Sequence, residues 1–515
     1  MIRIGIDVGG TNTDAVVMDG TDVLAAVKSA TTPDVLRGVV DALERVLEAS
    51  RTRADAVDAV MIGTTHFTNA VVQRRDLAPT AAVRLGLPAT AALPPMVDWP
   101  DDLRSAIGNH GYLAHGGNEF DGRPISPLDE RELLGIARDI AAKGIDTVAI
   151  TSVFSPVSDE VEQRAGAIFR GALPGAHITL SNQIGRIGLL ERENAAIMNA
   201  CLRDLSTQVV EAFRRAIEQT GIKGRFYLTQ NDGTLMEAAS AEAFPVQTFA
   251  SGPTNSMRGA AFLSGVANAI VVDIGGTTTD VGALRSGFPR QASMAVDVGG
   301  VRTNFRMPDV FSIGLGGGSH VVDTGRRIEI GPASVGYRLT RDALVFGGAT
   351  LTASDVIAAA GRAGFGDAAK VAHLSKDLVA RTQRRIMEML EQCVERSRVS
   401  PEPLPIIVVG GGSILVDGSI GGLDVIKPKH FAVANAVGAA IAQVSGEVDR
   451  VYALGEIGRE RALDDAKRRA VDSAVAAGAT RDSVEVVDVE DVPLAYLPGN
   501  ATRIHVRAVG DLGVG

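Results

Sequence analysis

The sequence predicts an α/β protein built from two related half-molecules. The first observation is an internal repeat, because IGIDVGGTNTDAVVM at residues 4–18 returns as IVVDIGGTTTDVGAL at residues 270–284. Seven of the fifteen positions are identical, which indicates that a half-molecule has been duplicated. The second observation is a third glycine-rich run, GGGS at residues 410–413, which directly follows the apolar, strand-like run IIVV.

Each copy of the repeat predicts a strand, a glycine turn and a second strand. In the first copy the apolar run ends at Asp7. Two glycines, which allow backbone conformations that other residues disfavour, then precede the next β-forming residues. Asp19 and Gly20 then predict a hairpin turn into a third strand at residues 23–27. The threonine–proline pair at residues 32–33 is typical of a helix start.

The remaining patterns predict helices and strands that alternate along the chain. Residues 79–127, rich in proline, glycine and histidine, predict loops with short elements. The apolar spacing predicts helices at residues 129–142, 159–169, 189–219, 376–396 and one after 459, and strands at 147–154, 406–409, 484–489 and 502–509. We expect four parts: a first half at 1–75, a middle substrate region at 76–250, a second half at 251–455 and a small C-terminal α/β unit at 456–515.

Composition narrows the function classes. The chain has 515 residues, of which 45% are hydrophobic and 22% charged, as expected of a globular protein with several domains. A net charge of −10 and an aromatic content of 4% argue against a nucleic-acid partner. No run of eighteen apolar residues predicts a membrane span. Two cysteines, Cys201 and Cys393, cannot form a disulfide framework, so we expect a cytoplasmic protein.

A strand that ends in Asp-x-Gly-Gly-Thr suits phosphate chemistry. The glycines let backbone N–H groups approach phosphoryl oxygens, and the threonine hydroxyls add donors. The aspartate at the strand end can hold a hydrated Mg²⁺ or position a water. One such loop most often only closes a hairpin. Two copies together with the third glycine run indicate a nucleotide site, in which two loops grip phosphates and the third meets the nucleoside.

These segments resemble the motifs of the sugar kinase, heat-shock chaperone and actin superfamily. Residues 4–18 are similar to its first phosphate motif, 270–284 to its second, 405–416 to its adenosine motif and 432–442 to its second connecting helix. The resemblance implies an actin-like duplicated ATPase fold that binds ATP and Mg²⁺ in the cleft, with Asp7 and Asp273 organising the metal. The nucleotide contacts that it implies are Gly9, Gly10, Thr11, Thr13, Gly275, Gly276, Thr277, Thr278, Gly410, Gly411, Gly412 and Ser413.

A narrower resemblance is to the hydantoinase A and oxoprolinase family. GTTHFTNA at residues 63–70 resembles its GTTxxTNA segment, and the Glu191-Arg192 pair resembles the start of its ER…NA helix. Further motifs follow in the family's order: QNDG at 230–233, SGP at 251–253, SIGLGGGS at 312–319, GP at 331–332 and AYLPG at 495–499. Residues 76–127 are shorter than in longer members, which indicates a compact subfamily.

The family resemblance implies an ATP-dependent hydrolase, or its activating subunit. It would open the amide of a hydantoin-, lactam- or oxoproline-like ring by phosphorylating the carbonyl oxygen. Asp7, Asp273, Glu191 and His66 would be catalytic. The substrate contacts that the resemblance implies are Thr64, Thr65, Asn69 and Arg192. It also implies a second, β-type hydrolase subunit as partner and an oligomeric assembly.

Other functions fit the same motifs. A small-molecule kinase, a carboxylase subunit and an ATP-switched chaperone or activator would all use the nucleotide cleft. Asp14 and Asp280 are explained equally well as turn anchors or as ligand contacts. His66 is a candidate for a structural hydrogen bond as well as for a substrate contact.

Overall fold

The computed structural model describes residues 1–9, 12–30, 35–292, 295–362, 364–398, 403–495 and 498–513. In these residues the strands form a nine-stranded sheet, a seven-stranded sheet, a four-stranded sheet and two hairpins. One copy of the repeat lies in each of the two large sheets. The predicted duplicated α/β, actin-like architecture is confirmed.

The first copy occupies one end of the nine-stranded sheet. Its first two strands pair antiparallel with Asp7 opposite Asp14, and β4 runs parallel to β1 with Gly63 beside Asp7. The predicted hairpin turn is present, and Gly20 takes a φ of +57° there. Residues 32–33, where a helix start is predicted, lie outside the described residues. The elements are β1 (Ile2–Val8), β2 (Asn12–Asp19), β3 (Asp22–Ala30), α1 (Val35–Ser50), β4 (Ala59–Thr64) and α2 (His66–Gln73).

The middle region contains a four-stranded parallel sheet in the order β6-β5-β7-β8, followed by helices that return to the large sheet. Residues 79–127 thus supply two of the sheet's strands. The elements are β5 (Thr80–Leu87), α3 (Asp101–Ala106), β6 (His110–His115), α4 (Glu130–Ala142), β7 (Thr147–Ser152), α5 (Glu160–Ala172), β8 (His177–Leu180), α6 (Leu189–Cys201), α7 (Arg203–Gln219), β9 (Arg225–Thr229), β10 (Thr234–Glu237) and α8 (Ala238–Ala243).

The single helix predicted at residues 189–219 is wrong, because the structure has two helices that meet at Leu202. The backbone carbonyl of Cys201 accepts a hydrogen bond of 2.8 Å from the Ala78 amide, at the start of the middle region. That carbonyl is therefore taken by a tertiary contact at the point where the helix ends. Helix α6 is buried over residues 192–201, whereas α7 is amphipathic and buries only one face.

The second copy repeats the geometry of the first in the seven-stranded sheet. Asp273 lies opposite Asp280, and β19 runs parallel to β11 with Val409 beside Asp273. The elements are α9 (Ser251–Ser264), β11 (Ala269–Ile274), β12 (Thr279–Arg285), β13 (Phe288–Pro289), β14 (Val296–Val298), β15 (Val301–Thr303), β16 (Val310–Ile313), β17 (Ser319–Asp323), β18 (Ile328–Ser334), α10 (Leu339–Asp342), α11 (Ala353–Ala359), α12 (Lys376–Ser397), β19 (Ile406–Val409), β20 (Ser419–Ile420), β21 (Leu423–Ile426) and α13 (Ala434–Ala440).

The C-terminal strands extend the sheet of the first half, whereas the sequence suggests a small appended unit. The sheet order is β23-β24-β22-β10-β9-β4-β1-β2-β3. An added Cβ at Gly446 would collide with the backbone of Ala470, so the alanine-rich face of α15 lies directly on β22. The elements are β22 (Gln443–Ala453), α14 (Leu454–Ile457), α15 (Arg459–Ala476), β23 (Glu485–Pro493) and β24 (Ala501–Gly510).

Helices α9 and α13 join the two halves through close backbone packing. An added Cβ at Gly259 would collide with Ala434 O, and one at Gly5 would collide with Ala436 O. Glycine is needed at both positions because any side chain would push the elements apart. No helix of the described ranges is long and apolar enough to cross a bilayer.

Candidate functional site

Each copy of the repeat brings one aspartate to the end of its first strand. Asp7 ends β1 next to the glycine turn, and Asp273 holds the same place in β11. Burial first, then the charge of Asp14 and, more weakly, that of Asp273 raise the pKa of Asp7 to about 6. Burial also raises the pKa of Asp273. The two aspartates therefore interact across the cleft between the halves.

Asp7 is held by a residue of the second half. Asn435 Nδ2, on α13, lies 2.9 Å from Asp7 Oδ2 and 2.9 Å from Asp14 Oδ2, so one amide bridges both carboxylates of the hairpin. Lys28 Nζ lies 2.5 Å from Asp14 Oδ1 and supplies the nearby positive charge. This arrangement fixes the Asp7 carboxylate and leaves its other oxygen, Oδ1, directed away from Asn435.

The Asp7 carboxylate oxygen that does not bond Asn435 lies close to two glycines. Within the described ranges Asp7 Oδ1 is buried and has no hydrogen-bond partner. An added Cβ would lie 2.7 Å from this oxygen at Gly63 and 3.8 Å from it at Gly252. An unpartnered buried carboxylate oxygen is costly unless a ligand, a metal ion or water satisfies it. Asp7 Oδ1 is therefore a candidate ligand atom for a bound group.

The carboxylate of the second copy is packed against the third glycine run. Gly410 has a φ of +86°, and an added Cβ there would collide with Asp273 Oδ1. A hydrogen bond with the Ser256 side chain partly offsets the effect of burial on the pKa of Asp273. Burial raises the pKa of Asp280 to about 6, although the Ser312 hydroxyl donates a hydrogen bond to it.

Equivalent hydrogen bonds close the two glycine loops. The Gly9 amide donates to Asn12 O over 3.1 Å, and the Gly275 amide donates to Thr278 O over 2.9 Å. The side-chain hydroxyl of Thr13 is buried without a hydrogen-bond partner among the described residues. Residues 276–278 follow Gly275 in the second turn. Gly10 and Thr11 lie outside the described residues.

The run at 410–413 is attached to the end of β11. The Gly412 amide donates to Ile274 O over 2.7 Å, while Gly411 faces open space. The Ser413 hydroxyl donates to Gly410 O over 2.6 Å, so it is already used to close its own loop. The third glycine run thus lies directly beside the second phosphate loop.

A fourth glycine segment supports the second loop, and its position was not predicted. The Gly317 amide donates to Gly275 O over 3.1 Å, and the Gly318 amide donates to Gly276 O over 2.7 Å. An added Cβ at Gly316 would lie 2.5 Å from the Thr277 amide nitrogen. Its three consecutive glycines were a visible signal for such a close backbone contact.

The GTTxxTNA-like segment lies beside the end of β1. Thr65 Oγ1 donates to Val8 O over 3.4 Å, and Asn69 Nδ2 donates to Thr65 Oγ1 over 3.3 Å. Thr64 Oγ1 lies 2.5 Å from His66 Nδ1, and burial lowers the pKa of His66. The structure therefore brings Thr64, Thr65, His66 and Asn69 together at the start of α2.

Glu191 and Arg192 differ from this group. Arg192 is fully buried, and its guanidinium donates to Ser181 Oγ, Ser152 O and the carbonyls of residues 186 and 187. These hydrogen bonds occupy the guanidinium donors of Arg192 inside the fold. The expected substrate contact of Arg192 is therefore corrected, and the residue has a structural role. The Glu191 carboxylate lies 3.7 Å from Arg302 Nη2, and none of its described contacts is with Asp7 or Asp273.

Comparisons with known proteins agree with this arrangement. Residues 3–173 match the family described as "Hydantoinase/oxoprolinase N-terminal region", and residues 192–365 match "Hydantoinase/oxoprolinase". The chain is 28% identical over 361 residues to caprolactamase subunit alpha of Pseudomonas jessenii, covering 65% of this chain and 51% of that protein. It is 27% identical over 397 residues to the acetophenone carboxylase gamma subunit of Aromatoleum aromaticum, covering 69% and 52%.

The fold is also that of a solved structure. The crystal structure of the ATP-dependent caprolactamase from Pseudomonas jessenii superposes with a TM-score of 0.79 at 18% identity, covering 99% of this chain and 88% of that one. The chain spans about half the length of the two curated relatives that it matches.

Proposed function

Since this chain belongs to the hydantoinase/oxoprolinase family, we propose that it uses ATP to phosphorylate the carbonyl oxygen of a small cyclic amide, so that the ring can be opened. The observation that carries this proposal is the buried, unpartnered Asp7 Oδ1, which lies close to Gly63 and Gly252. Phosphoryl transfer needs positioned groups and charge neutralisation more than it needs a covalent catalyst.

ATP would lie between the two glycine loops, with the nucleoside against residues 410–413. Asp7 and Asp273 would hold Mg²⁺, which when bound neutralises charge on the transferring phosphoryl group. The described residues contain no cluster of three side chains of the kind that forms a closed metal cage. The fit is nevertheless good, because Mg²⁺ commonly uses one or two carboxylates together with waters and phosphate oxygens.

The reaction balances with one ATP and two waters. The amide oxygen attacks the γ-phosphorus, the bond from that phosphorus to the ADP oxygen breaks, and a carbon–oxygen–phosphorus linkage forms. Water adds at the same carbon, and the carbon–nitrogen bond breaks to leave an acyl phosphate on the opened ring. A second water attacks that carbon and releases phosphate, which carries away the original amide oxygen. The residues at 64–69, which lie beside the end of β1, would contact the carbonyl end of the ring next to Asp7.

We propose that a partner subunit takes part in the hydrolysis. The curated relatives carry the names of alpha and gamma subunits, and this chain matches only about half of their length. A second candidate function is the activating subunit of a carboxylase, which the match to an acetophenone carboxylase subunit favours. A ketone activated at its oxygen would use the same cleft.

The test is ATP turnover by the purified chain with Mg²⁺ and a panel of hydantoins, lactams, 5-oxoproline and simple ketones. ADP, phosphate and ring-opened product are measured together, and Asp7→Asn serves as the inactive control. Stimulation by a cyclic amide supports the hydrolase, and stimulation only by a ketone supports the carboxylase subunit. ADP formation that no carbonyl compound stimulates would reject both and favour an ATP-switched protein.

A further inference from the structure

A polar cavity of about 620 Å³ lies outside the phosphate loops. It is bounded by residues 155–159, 182–187 and 230–232, together with the middle of β22. Its volume falls in the range of roughly 300–1,000 Å³ that is typical of small-molecule sites. None of the glycine-loop residues lines it.

The cavity shares a wall with the Asp7 site. Asn255 Nδ2 donates to Thr229 Oγ1 over 2.9 Å, and an added Cβ at Gly63 would collide with that same amide. Asn231, two residues after Thr229, lines the cavity. Thr254 Oγ1 donates a hydrogen bond of 3.0 Å to the backbone carbonyl of Asn231. Neighbouring residues at the start of α9, Thr254 and Asn255, therefore contact the cavity lining on one side and the surroundings of Asp7 on the other.

Two of the arginines that line the cavity already have carboxylate partners. Arg503 holds both oxygens of Asp449, with Nε 2.7 Å from Oδ1 and Nη2 in contact with Oδ2. Arg306, only 7% exposed, has Nε 3.0 Å from Glu447 Oε1. The charges of these two arginines are compensated by carboxylates inside the protein. A further arginine of the lining, Arg450, is exposed.

Arg186 differs from Arg306 and Arg503. Its nearest acidic atom is Asp449 Oδ2, 3.8 Å from Nε, and Arg503 already occupies that carboxylate. Among the described residues the Arg186 guanidinium has no hydrogen bond, and 25% of the side chain is exposed. Burial and the positive charges of Arg306 and Arg503 lower the pKa of Arg186 to about 10, so it stays a cation at neutral pH. An uncommitted, partly desolvated cation therefore faces the cavity.

The loop that carries Arg186 is held firmly. Arg192 Nη1 donates to the carbonyls of Arg186 and Ile187 over 2.8 Å each, and the Arg186 amide donates to Asn304 Oδ1 over 3.1 Å. Glu162 accepts hydrogen bonds from the amides of residues 152 and 182. Arg192 is thus a positioning residue for this loop.

From this geometry we infer that the cavity is the substrate chamber and that Arg186 binds a carboxylate carried by the substrate. The inference rests on the proposed function and narrows its substrate to a cyclic amide with a carboxylate substituent. The planar fork of arginine matches a carboxylate with two parallel hydrogen bonds. The side-chain amide of Gln247, which lines the same space, can hydrogen-bond the ring.

The test compares ligands that share a ring and differ only in the carboxylate. Calorimetry on the full chain measures binding of 5-oxoproline against 2-pyrrolidone, and of hydantoin-5-acetic acid against hydantoin. We expect each acid to bind about 10- to 100-fold more tightly than its neutral partner. Arg186→Gln is expected to remove this preference and to leave the neutral ligands within about twofold of their affinity. Arg53→Gln, which removes an exposed ion pair with Asp55 elsewhere, is the matched control.

Each outcome decides the assignment. Equal binding of acid and neutral ligands, no binding of either acid, or a preference that survives in Arg186→Gln would overturn it. If the glutamine variant fails to fold, Arg186→Lys is measured instead. Lysine keeps the positive charge but cannot donate two parallel hydrogen bonds to a carboxylate. A selective weakening of the acids by about tenfold then supports the inference, and unchanged acid binding rejects it. Calorimetry measures binding without turnover, so it separates this inference from the proposed function. Acids that bind through Arg186 but do not stimulate ADP formation would reject the proposed function and leave the assignment of Arg186 standing.

Discussion

The two copies of the repeat share strands, turn and paired aspartates, but they surround those aspartates differently. In the first copy, Asn435 reaches across from α13 and bridges Asp7 and Asp14, and Lys28 neutralises the pair from β3. One oxygen of Asp7 remains without a partner in the described structure and faces glycines.

In the second copy the partners are hydroxyl groups and backbone. Ser256 bonds Asp273, and Ser312 donates to Asp280. The Asp273 carboxylate is packed against Gly410 of the third glycine run. The duplication therefore keeps the carboxylates and changes their tasks. We infer that the first copy holds the reacting group and the second positions the nucleotide, an asymmetry that the following changes test.

The largest effect is expected from Asp7→Asn. The amide keeps the shape but removes the charge that would bind the metal and the transferring phosphoryl group. We expect kcat for substrate-stimulated ADP formation to fall by about 10²- to 10³-fold, with a much smaller change in KM for ATP. Steady-state kinetics measure this, and a variant within tenfold of the wild type would remove Asp7 from the reaction.

A different pattern is expected from Asp273→Asn. Because this carboxylate lies against the nucleotide loop, its loss should act mainly on KM for the Mg²⁺–ATP complex, raising it by about tenfold. The fall in kcat should be smaller than for Asp7→Asn. Titrations of ATP at fixed Mg²⁺ give both constants. Equal losses of kcat in the two variants would mean that the copies share one task.

A smaller, structural effect separates two adjacent glycines. Gly410→Ala forces a side chain into a backbone with φ of +86° and against Asp273 Oδ1. We expect it to lower the free energy of unfolding by about 1–3 kcal/mol. Gly411→Ala is the matched control for stability, because an added Cβ there faces open space. Denaturant titration of both variants measures the difference, and equal stabilities would show that the Gly410 packing is relaxed in solution.

The smallest effect concerns pH. The folded-state pKa of Asp280 is raised to about 6 from 3.8, so the folded protein binds this proton more readily and loses stability as pH rises through about 6. Asp280→Asn cannot ionise, and we expect it to exceed the wild type in unfolding free energy by about 1–2 kcal/mol at pH 8.

The same variant should match the wild type near pH 4, where Asp280 is protonated in the fold. Asp22→Asn, at an exposed position in β3, controls for the loss of a charge from the chain. Thermal or urea unfolding at pH 4, 6 and 8 follows the difference. A pH-independent difference would show that the second-copy carboxylate is not desolvated as the structure indicates.

The sequence predicted much of this fold because its strongest signals are local. The repeat with its two apolar strands and glycine turns implied the hairpins, and the structure adds the register that places Asp7 opposite Asp14. The glycine run after IIVV predicted a loop at the end of β19, where the structure has it.

The contacts that the sequence did not predict are long-range. Asn435 bonds residues more than four hundred positions earlier, and no local pattern marks such a partner. The ER pair suggested a substrate contact, but only the fold shows that the donors of Arg192 are used by the loop at 186–187. Helix α6 likewise ends where the Ala78 amide donates a hydrogen bond to the Cys201 carbonyl. The apolar spacing along a helix gives no information about such a long-range contact.

The most direct test of the central claim follows the amide oxygen. A cyclic amide labelled with ¹⁸O at its carbonyl is turned over with ATP by the full chain, together with any partner subunit that turnover requires, and the phosphate is analysed by mass spectrometry. The account predicts one labelled oxygen in each phosphate released, because the carbonyl oxygen bonds to phosphorus and water attacks carbon. Unlabelled phosphate from a reaction in which the ring opens and ADP forms would contradict it.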